Sequence, residues 1–191
     1  MFKDYDEFDD DFFQDVIGII EEDQNDHIPT KSNGSFTGAK TPRELSNWMK
    51  SNIRYAQFKK LESAEEVYHS KKGSCHDQVM FELHELSAMG YIPHAMFLIE
   101  YREGSNQGGM THSFVYYRDK TGQVYWFENA WTPNAGIHKF NSIHDIKRYF
   151  KDAYKNNKFG DYKKFGNLEF SSFGKHKPGE LLDTFVRICL S

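Results

Sequence analysis

Near the start of the chain Tyr5, Phe8, Phe12, Val16 and Ile19 recur at steps of three and four, with Asp and Glu between them. That spacing predicts an amphipathic helix able to pack on the domain or on a partner. Residues 25–38 are polar and carry Pro29, Gly34 and Gly38, which marks a loop. Thr41, Pro42 and Glu44 read as the N-cap, first helical position and capping-box partner of a second helix. Its buried stripe is Leu45, Trp48, Met49 and Ile53. Ser63 with Glu66 opens a short helix that Gly73 is expected to end by adopting a positive φ. Ser74 caps the next helix, with Val79, Met80, Leu83 and Leu86 inward and Gly90 as its stop.

Beyond Gly90 the pattern becomes strand-like. Ala95–Tyr101 is apolar, Thr111–Tyr117 alternates and Gln123–Phe127 is rich in aromatic residues. Asp119-Lys120-Thr121-Gly122 is a turn signal between the last two, so they form an antiparallel hairpin. Setting Arg118 opposite Gln123 makes paired residue numbers sum to about 241, which puts His112 opposite Asn129, or Glu128 with a one-residue bulge. Ser142 with Asp145 caps a further helix to about Tyr154, and a stretch rich in Lys, Gly, Asn and Phe follows. Leu181–Leu190 is a terminal strand or helix. Helices and an antiparallel hairpin together indicate an α+β domain.

Composition narrows the class. With 191 residues, 38% hydrophobic and 16% aromatic, the chain fits one domain with a packed core. A net charge of -4 is too mild to predict a nucleic-acid or membrane partner. The charge is uneven: residues 1–26 hold eleven Asp/Glu and one Lys, and residues 139–178 hold ten Lys/Arg and four Asp/Glu. Two solvated faces account for this. The two cysteines, Cys75 and Cys189, are not a disulfide framework. No basic stretch with an apolar run follows Met1, and no run is long enough to span a bilayer, so the expected compartment is the cytoplasm. No cofactor is expected.

Cys75 carries the chemistry. It falls in the first turn of the helix that Ser74 caps, where unpaired backbone N–H groups and the helix dipole favour a thiolate. Packing as a small buried residue is the competing reading. The hairpin shifts the balance, because it brings a histidine and an acidic or amide side chain together beside that helix.

Gly73-Ser74-Cys75-His76-Asp77-Gln78, the helix after it and the turn Met89-Gly90-Tyr91-Ile92-Pro93 resemble the nucleophile helix of the transglutaminase-like superfamily. His112-Ser113-Phe114-Val115 resembles its histidine strand, and Tyr125-Trp126-Phe127-Glu128 its third motif, where an aspartate usually stands. The resemblance covers roughly residues 41–131, in the family's order. It implies a papain-like core, with the nucleophile helix packed on an antiparallel β-sheet and extra helices before it. Residues 1–40 would then be an acidic helix and loop, 41–131 the core and 132–191 its C-terminal completion, as one domain.

By the same resemblance Cys75 is the nucleophile, His112 the general base and acid, and Glu128 the group that orients His112. Asn129 is the alternative third member, preferred by the hairpin register. The Cys75 backbone N–H is the natural oxyanion donor, and Tyr55 resembles a position where an aromatic donor often stands. The implied partner is a peptide- or protein-like amide. The loop Gly104–Gly109 before the His112 strand is either a cover for the cleft or a plain connection. A metal site built on Cys75, His76 and His112 lacks the usual ligand spacing. A fold retained only for binding is the remaining alternative.

Overall fold

The computed structural model describes residues 34–102, 108–156, 165–175 and 177–191. The helix expected over residues 5–19 and most of the glycine-rich loop before His112 lie outside them. The described residues belong to one compact unit.

Five α-helices, one short 3-10 helix (Thr132–Asn134) and seven strands are formed by the described residues, and the N-caps are largely those the sequence announces. Helix α1 (Pro42–Asn52) starts where Thr41 Oγ1 accepts the Glu44 N–H, while the Glu44 carboxylate reaches back to Lys40 N at 2.8 Å. Strand β1 (Arg54–Tyr55) follows, then α2 (Ala64–Ser70), closed at its start by the full Ser63–Glu66 capping box. Lys71, not Gly73, ends α2, taking φ 57. Gly73 instead lies in β2 (Lys72–Gly73), paired parallel to β1 as Tyr55↔Gly73. Its small size has a packing reason: a Cβ there would stand 3.1 Å from Asp77 Cβ and 3.3 Å from Val67 Cγ2.

Helix α3 (Cys75–Ala88) is buried over most of its surface. The apolar stripe accounts for Val79 and Leu86, but Met80 and Leu83 are only half-buried and Phe81 is fully buried. Carboxylates also go inside. Glu85 accepts from Ser35 Oγ at 2.7 Å and Phe36 N at 2.8 Å, which anchors the loop before α1. Such partners are what make a buried carboxylate tolerable.

The sheet is five-stranded: β3 (Pro93–Arg102), β4 (Gly108–Arg118), β5 (Val124–Glu128), β6 (Gly136–Phe140) and β7 (Phe165–Ser172). Its order is β6–β5–β4–β3–β7, antiparallel throughout. Alternation along β4 and β5 sends neighbouring residues to opposite faces. Val115, Tyr117 and Phe127 join the core shared with α1, α2 and α3. Phe114, Val124 and Trp126 join Ile146, Phe150 and Tyr154 of α4 (Ile143–Lys155). A third cluster packs Phe185 and Cys189 of α5 (Leu182–Cys189) on Phe97 and Ile99 of β3. The terminal segment is therefore a helix. The fold is α+β with the Cys75 helix on an antiparallel sheet, the class expected. No helix among the described residues is long and apolar enough to cross a membrane.

The β4–β5 hairpin corrects the expected register by one residue. Arg118 pairs with Val124 and Val115 with Phe127, so paired numbers sum to 242. Asp119 causes the difference. Its N–H donates to Gln123 O at 3.0 Å and its Oδ1 accepts from Thr121 N at 2.8 Å. Asp119 and Gln123 thus close the hairpin, leaving three loop residues with Gly122 at φ 82.

Candidate active site

Ser74 fixes the approach to Cys75. Its N–H and Oγ both donate to Asp77 Oδ2, at 2.8 and 2.7 Å, a complete capping box inside the protein. Asp77 Oδ1 also accepts Glu62 N at 2.8 Å, tying the segment before α2 to the same carboxylate. Cys75 therefore opens α3 from a rigid start, with only 4% of its surface exposed.

The β4–β5 ladder ends at Val115↔Phe127, and past that pair the first turn of α3 takes over. Continued, the register would set Ser113 opposite Asn129. Instead Ser113 Oγ lies 2.7 Å from His76 Nδ1, and Asn129 Nδ2 donates to Gln78 Oε1 at 2.6 Å. Gln78 Nε2 donates in turn to Gly73 O at 2.9 Å, two residues before the cysteine.

His112 would face Ala130 in the same register, which makes Glu128 its diagonal neighbour on one side of the sheet. The two side chains meet directly, His112 Nε2 to Glu128 Oε2 at 2.8 Å. Glu128 Oε1 accepts the Trp131 N–H at 2.8 Å, so both carboxylate oxygens are held. The imidazole lies tilted against Phe150, ring centres 6.1 Å apart, and it and Cys75 shift each other's ionisation. Of the two candidates for the group beside His112, Glu128 makes the contact. The Asn129 amide is committed to Gln78.

These surroundings set the charges. Burial pushes the Cys75 thiol up, but the electrostatic influence of His76, hydrogen bonds from His112 and His76, and the charge of His112 outweigh it. The thiol falls from its ordinary 9.0 to about 5. Burial depresses His112, yet Glu128 and Cys75 overcome this and raise it from 6.5 to about 10. Between those values the favoured state is a thiolate–imidazolium pair, the reactive form of such a cysteine. Cys189 differs: burial raises its thiol, and Gly174 N donates to its sulfur at 3.2 Å.

Tyr55 is 55% exposed, not a core residue. Its pairing with Gly73 brings it near Cys75, and its hydroxyl is held protonated first by partial burial and then by the negative charge of Cys75 and Asp77.

The sequence reading did not single out Glu82 or Ser113 as members of the site, nor the bond of Gln78 to Asn129. Glu82 follows Cys75 by seven residues on α3, is 2% exposed, and lies within electrostatic range of Glu128, His112 and Cys75. Burial and the charge of Glu128 raise its carboxyl well above the usual range. A glutamate two helical turns from a cysteine was the available signal, but exposed glutamates show the same spacing. Among the described residues no three His, Cys, Asp or Glu side chains are grouped as a metal ion requires.

No family model matches the chain, and no curated protein does. Among solved structures, one described as a "Putative Cysteine Protease from Cytophaga hutchinsonii" is similar over 78% of this chain, at 16% identity and a TM-score of 0.36. The chain covers 52% of that protein, so it spans about half the length of the structure it matches. A likeness of this size carries no weight about chemistry, which rests on the residues themselves.

Proposed function

We propose that this protein performs cysteine-dependent acyl chemistry on an amide of a peptide-like substrate, by hydrolysis, deamidation or transfer. One observation carries the reading: Cys75 opens a capped helix, and the buried imidazole that acts on its ionisation, His112, is held by Glu128 at 2.8 Å. In this reading the Cys75 thiolate attacks the substrate carbonyl carbon and forms a carbon–sulfur bond. The Cys75 backbone N–H and the Tyr55 hydroxyl hold the oxyanion. The His112 imidazolium passes its proton to the leaving amine as the amide bond breaks. Neutral His112 then takes a proton from water or an incoming amine, which attacks the thioester, and collapse releases the thiolate. Glu128 keeps the ring oriented and its cation stable. The transglutaminase-like resemblance of the three sequence blocks agrees with these roles.

A second reading has an observation of its own. Cys75 is 4% exposed, which also suits a fold kept only for binding. Iodoacetamide separates the two, because a working nucleophile must admit a small electrophile. Cys75 is expected to be labelled faster than Cys189, with a rate that falls as pH drops through about 5. A Cys75 that resists the reagent sinks the enzymatic reading. Mass spectrometry of Cys75 after incubation with cell extract would then identify the acyl group it accepts.

A further inference from the structure

Glu128 ends β5 and pairs across to Gly136, the first residue of β6. Residues 129–135 therefore form a loop closed by the charged partner of His112. One bond runs from that loop back onto the site, from the Trp131 N–H to Glu128 Oε1 at 2.8 Å. The other oxygen, Oε2, is the one 2.8 Å from His112 Nε2. A carboxylate is planar, so holding Oε1 fixes the direction from which Oε2 meets the ring. The place of the Trp131 backbone is thus part of the site's geometry.

Asn134 fixes that place. It ends the 3-10 turn Thr132–Asn134, and its N–H closes the turn on Trp131 O at 2.8 Å. Its carbonyl oxygen, which can only accept, takes the Nε2–H of His138 on β6 at 2.7 Å. Its side-chain Oδ1 accepts the Tyr149 hydroxyl of α4 at 2.9 Å. One residue thus ties the loop to a strand and to a helix. Gly136 permits the tight return to β6: it takes φ 153, and a Cβ there would stand 3.5 Å from Lys50 Nζ and 3.8 Å from His138 Nε2.

The side-chain bond is the informative one. The Tyr149 ring already packs 5.6 Å from Trp126 and 5.8 Å from Phe140, so its burial does not depend on the hydroxyl. What the hydroxyl adds is a fixed distance between α4 and the turn. The next residue of α4, Phe150, rests against both Trp131, at 6.2 Å between ring centres, and His112, at 6.1 Å. Two consecutive residues of one helix therefore brace the turn and the imidazole it serves.

We infer that Asn134 is a positioning residue for the Cys75 site: braced by Tyr149 and His138, it holds the Trp131 N–H on Glu128 Oε1 and so sets the line from Glu128 to His112. The inference rests on the reading of Cys75 as a nucleophile served by His112. Asn134 acts through Trp131 and Glu128. A carboxylate supports an imidazolium best when its oxygen stays on the N–H axis, so a turn that drifts weakens the ion pair without removing any charge.

The test is a double-mutant cycle read by the pH profile of Cys75 alkylation in the full chain. Tyr149→Phe keeps the ring and removes the hydroxyl, and Asn134→Ala removes its acceptor. Each is expected to raise the thiol pKa from about 5 by roughly half a unit, so that labelling at about pH 5 slows roughly twofold. The double variant should shift no further than Asn134→Ala alone, because the hydroxyl acts through that amide. A Tyr149→Phe profile that superimposes on the unaltered chain overturns the inference, and so do shifts that add. Should Asn134→Ala not fold, Tyr149→Phe decides alone, with nitrogen NMR of the His112 ring as its second readout. The His112 pKa should fall from about 10 in that variant; an unchanged value beside a lowered denaturation midpoint makes the bond a support of the fold alone and overturns the inference. The two readings fail separately. An ordinary thiol pKa in the unaltered chain takes the nucleophile and this inference together, whereas a low pKa that responds to Glu128→Gln but to neither Tyr149→Phe nor Asn134→Ala removes only the role of Asn134.

Discussion

Glu128, the last residue of β5, and His112 of β4 are diagonal neighbours joined Oε2 to Nε2 at 2.8 Å, and the same imidazole acts on the ionisation of Cys75. The Glu128 charge is the largest influence raising His112, so removing it should propagate to the thiol. Glu128→Gln is expected to lower the pKa of His112 and raise that of Cys75. With a thiol shift of about one unit, alkylation at about pH 5 would slow roughly fivefold. Peptide-resolved labelling rates across pH are the measurement, and an unchanged profile detaches Glu128 from the thiolate.

Asn129 should behave oppositely. Its amide donates to Gln78 Oε1 at 2.6 Å and has no bond to His112. Asn129→Ala leaves that buried oxygen without its donor, which costs about 1–3 kcal/mol of stability. The thiol pKa should stay near its original value. Chemical denaturation and the alkylation profile measure the two effects on one sample. A large rise in thiol pKa with little loss of stability would return Asn129 to the imidazole.

Much of this was legible in the sequence because it depends on local rules. Ser63, Ser74 and Ser142 sit where capping chemistry demands, and Cys75 one residue past Ser74 follows directly. The partner of His112 was harder, since it depends on a single residue of register. Asp119 closes the hairpin through its own carboxylate, and four turn-forming residues in a row do not reveal which pair closes. Strand β7 was unread because Phe165–Ser172 is an edge segment without clean alternation. The sequence reading also passed over Gly136–Phe140 as a strand, although it pairs along β5. Burial of Glu82 and Glu85 was invisible for another reason: a glutamate's place on a helix says nothing of the charges waiting around it.

The thiolate–imidazolium pair also predicts the pH dependence of stability, through proton counting. Cys75 falls from 9.0 to about 5 on folding, so its contribution is present above pH 9 and lost as pH falls through about 5. His112 rises from 6.5 to about 10, so its contribution is present below pH 6.5 and lost as pH rises through about 10. Between 6.5 and 9 the unfolded chain carries a thiol and a neutral imidazole, while the folded chain carries one proton on the imidazole. The counts are equal there and stability is flat. Relative to a Cys75→Ser, His112→Gln double variant, stability should rise by about 1.4 kcal/mol per pH unit between about 5 and 6.5 and fall similarly between about 9 and 10. Denaturant midpoints across pH measure this. A difference that keeps changing across neutral pH contradicts the ion pair.

Glu82 gives the last prediction. Its carboxyl is 2% exposed, and burial and the Glu128 charge raise its pKa well above 4.5. A raised carboxyl binds a proton in the folded state that the unfolded chain has already released above pH 4.5, so it draws stability down as pH rises from there. Glu82→Gln keeps the shape and removes the titration. The variant should match the unaltered chain below about pH 4 and become progressively more stable than it above about pH 5. A neutral amide also adds no negative charge beside Cys75, so the thiol pKa should not rise. Urea denaturation of both proteins across that range is the measurement. A variant less stable at neutral pH would show that the Glu82 carboxylate, charged and satisfied, supports the site instead of burdening it.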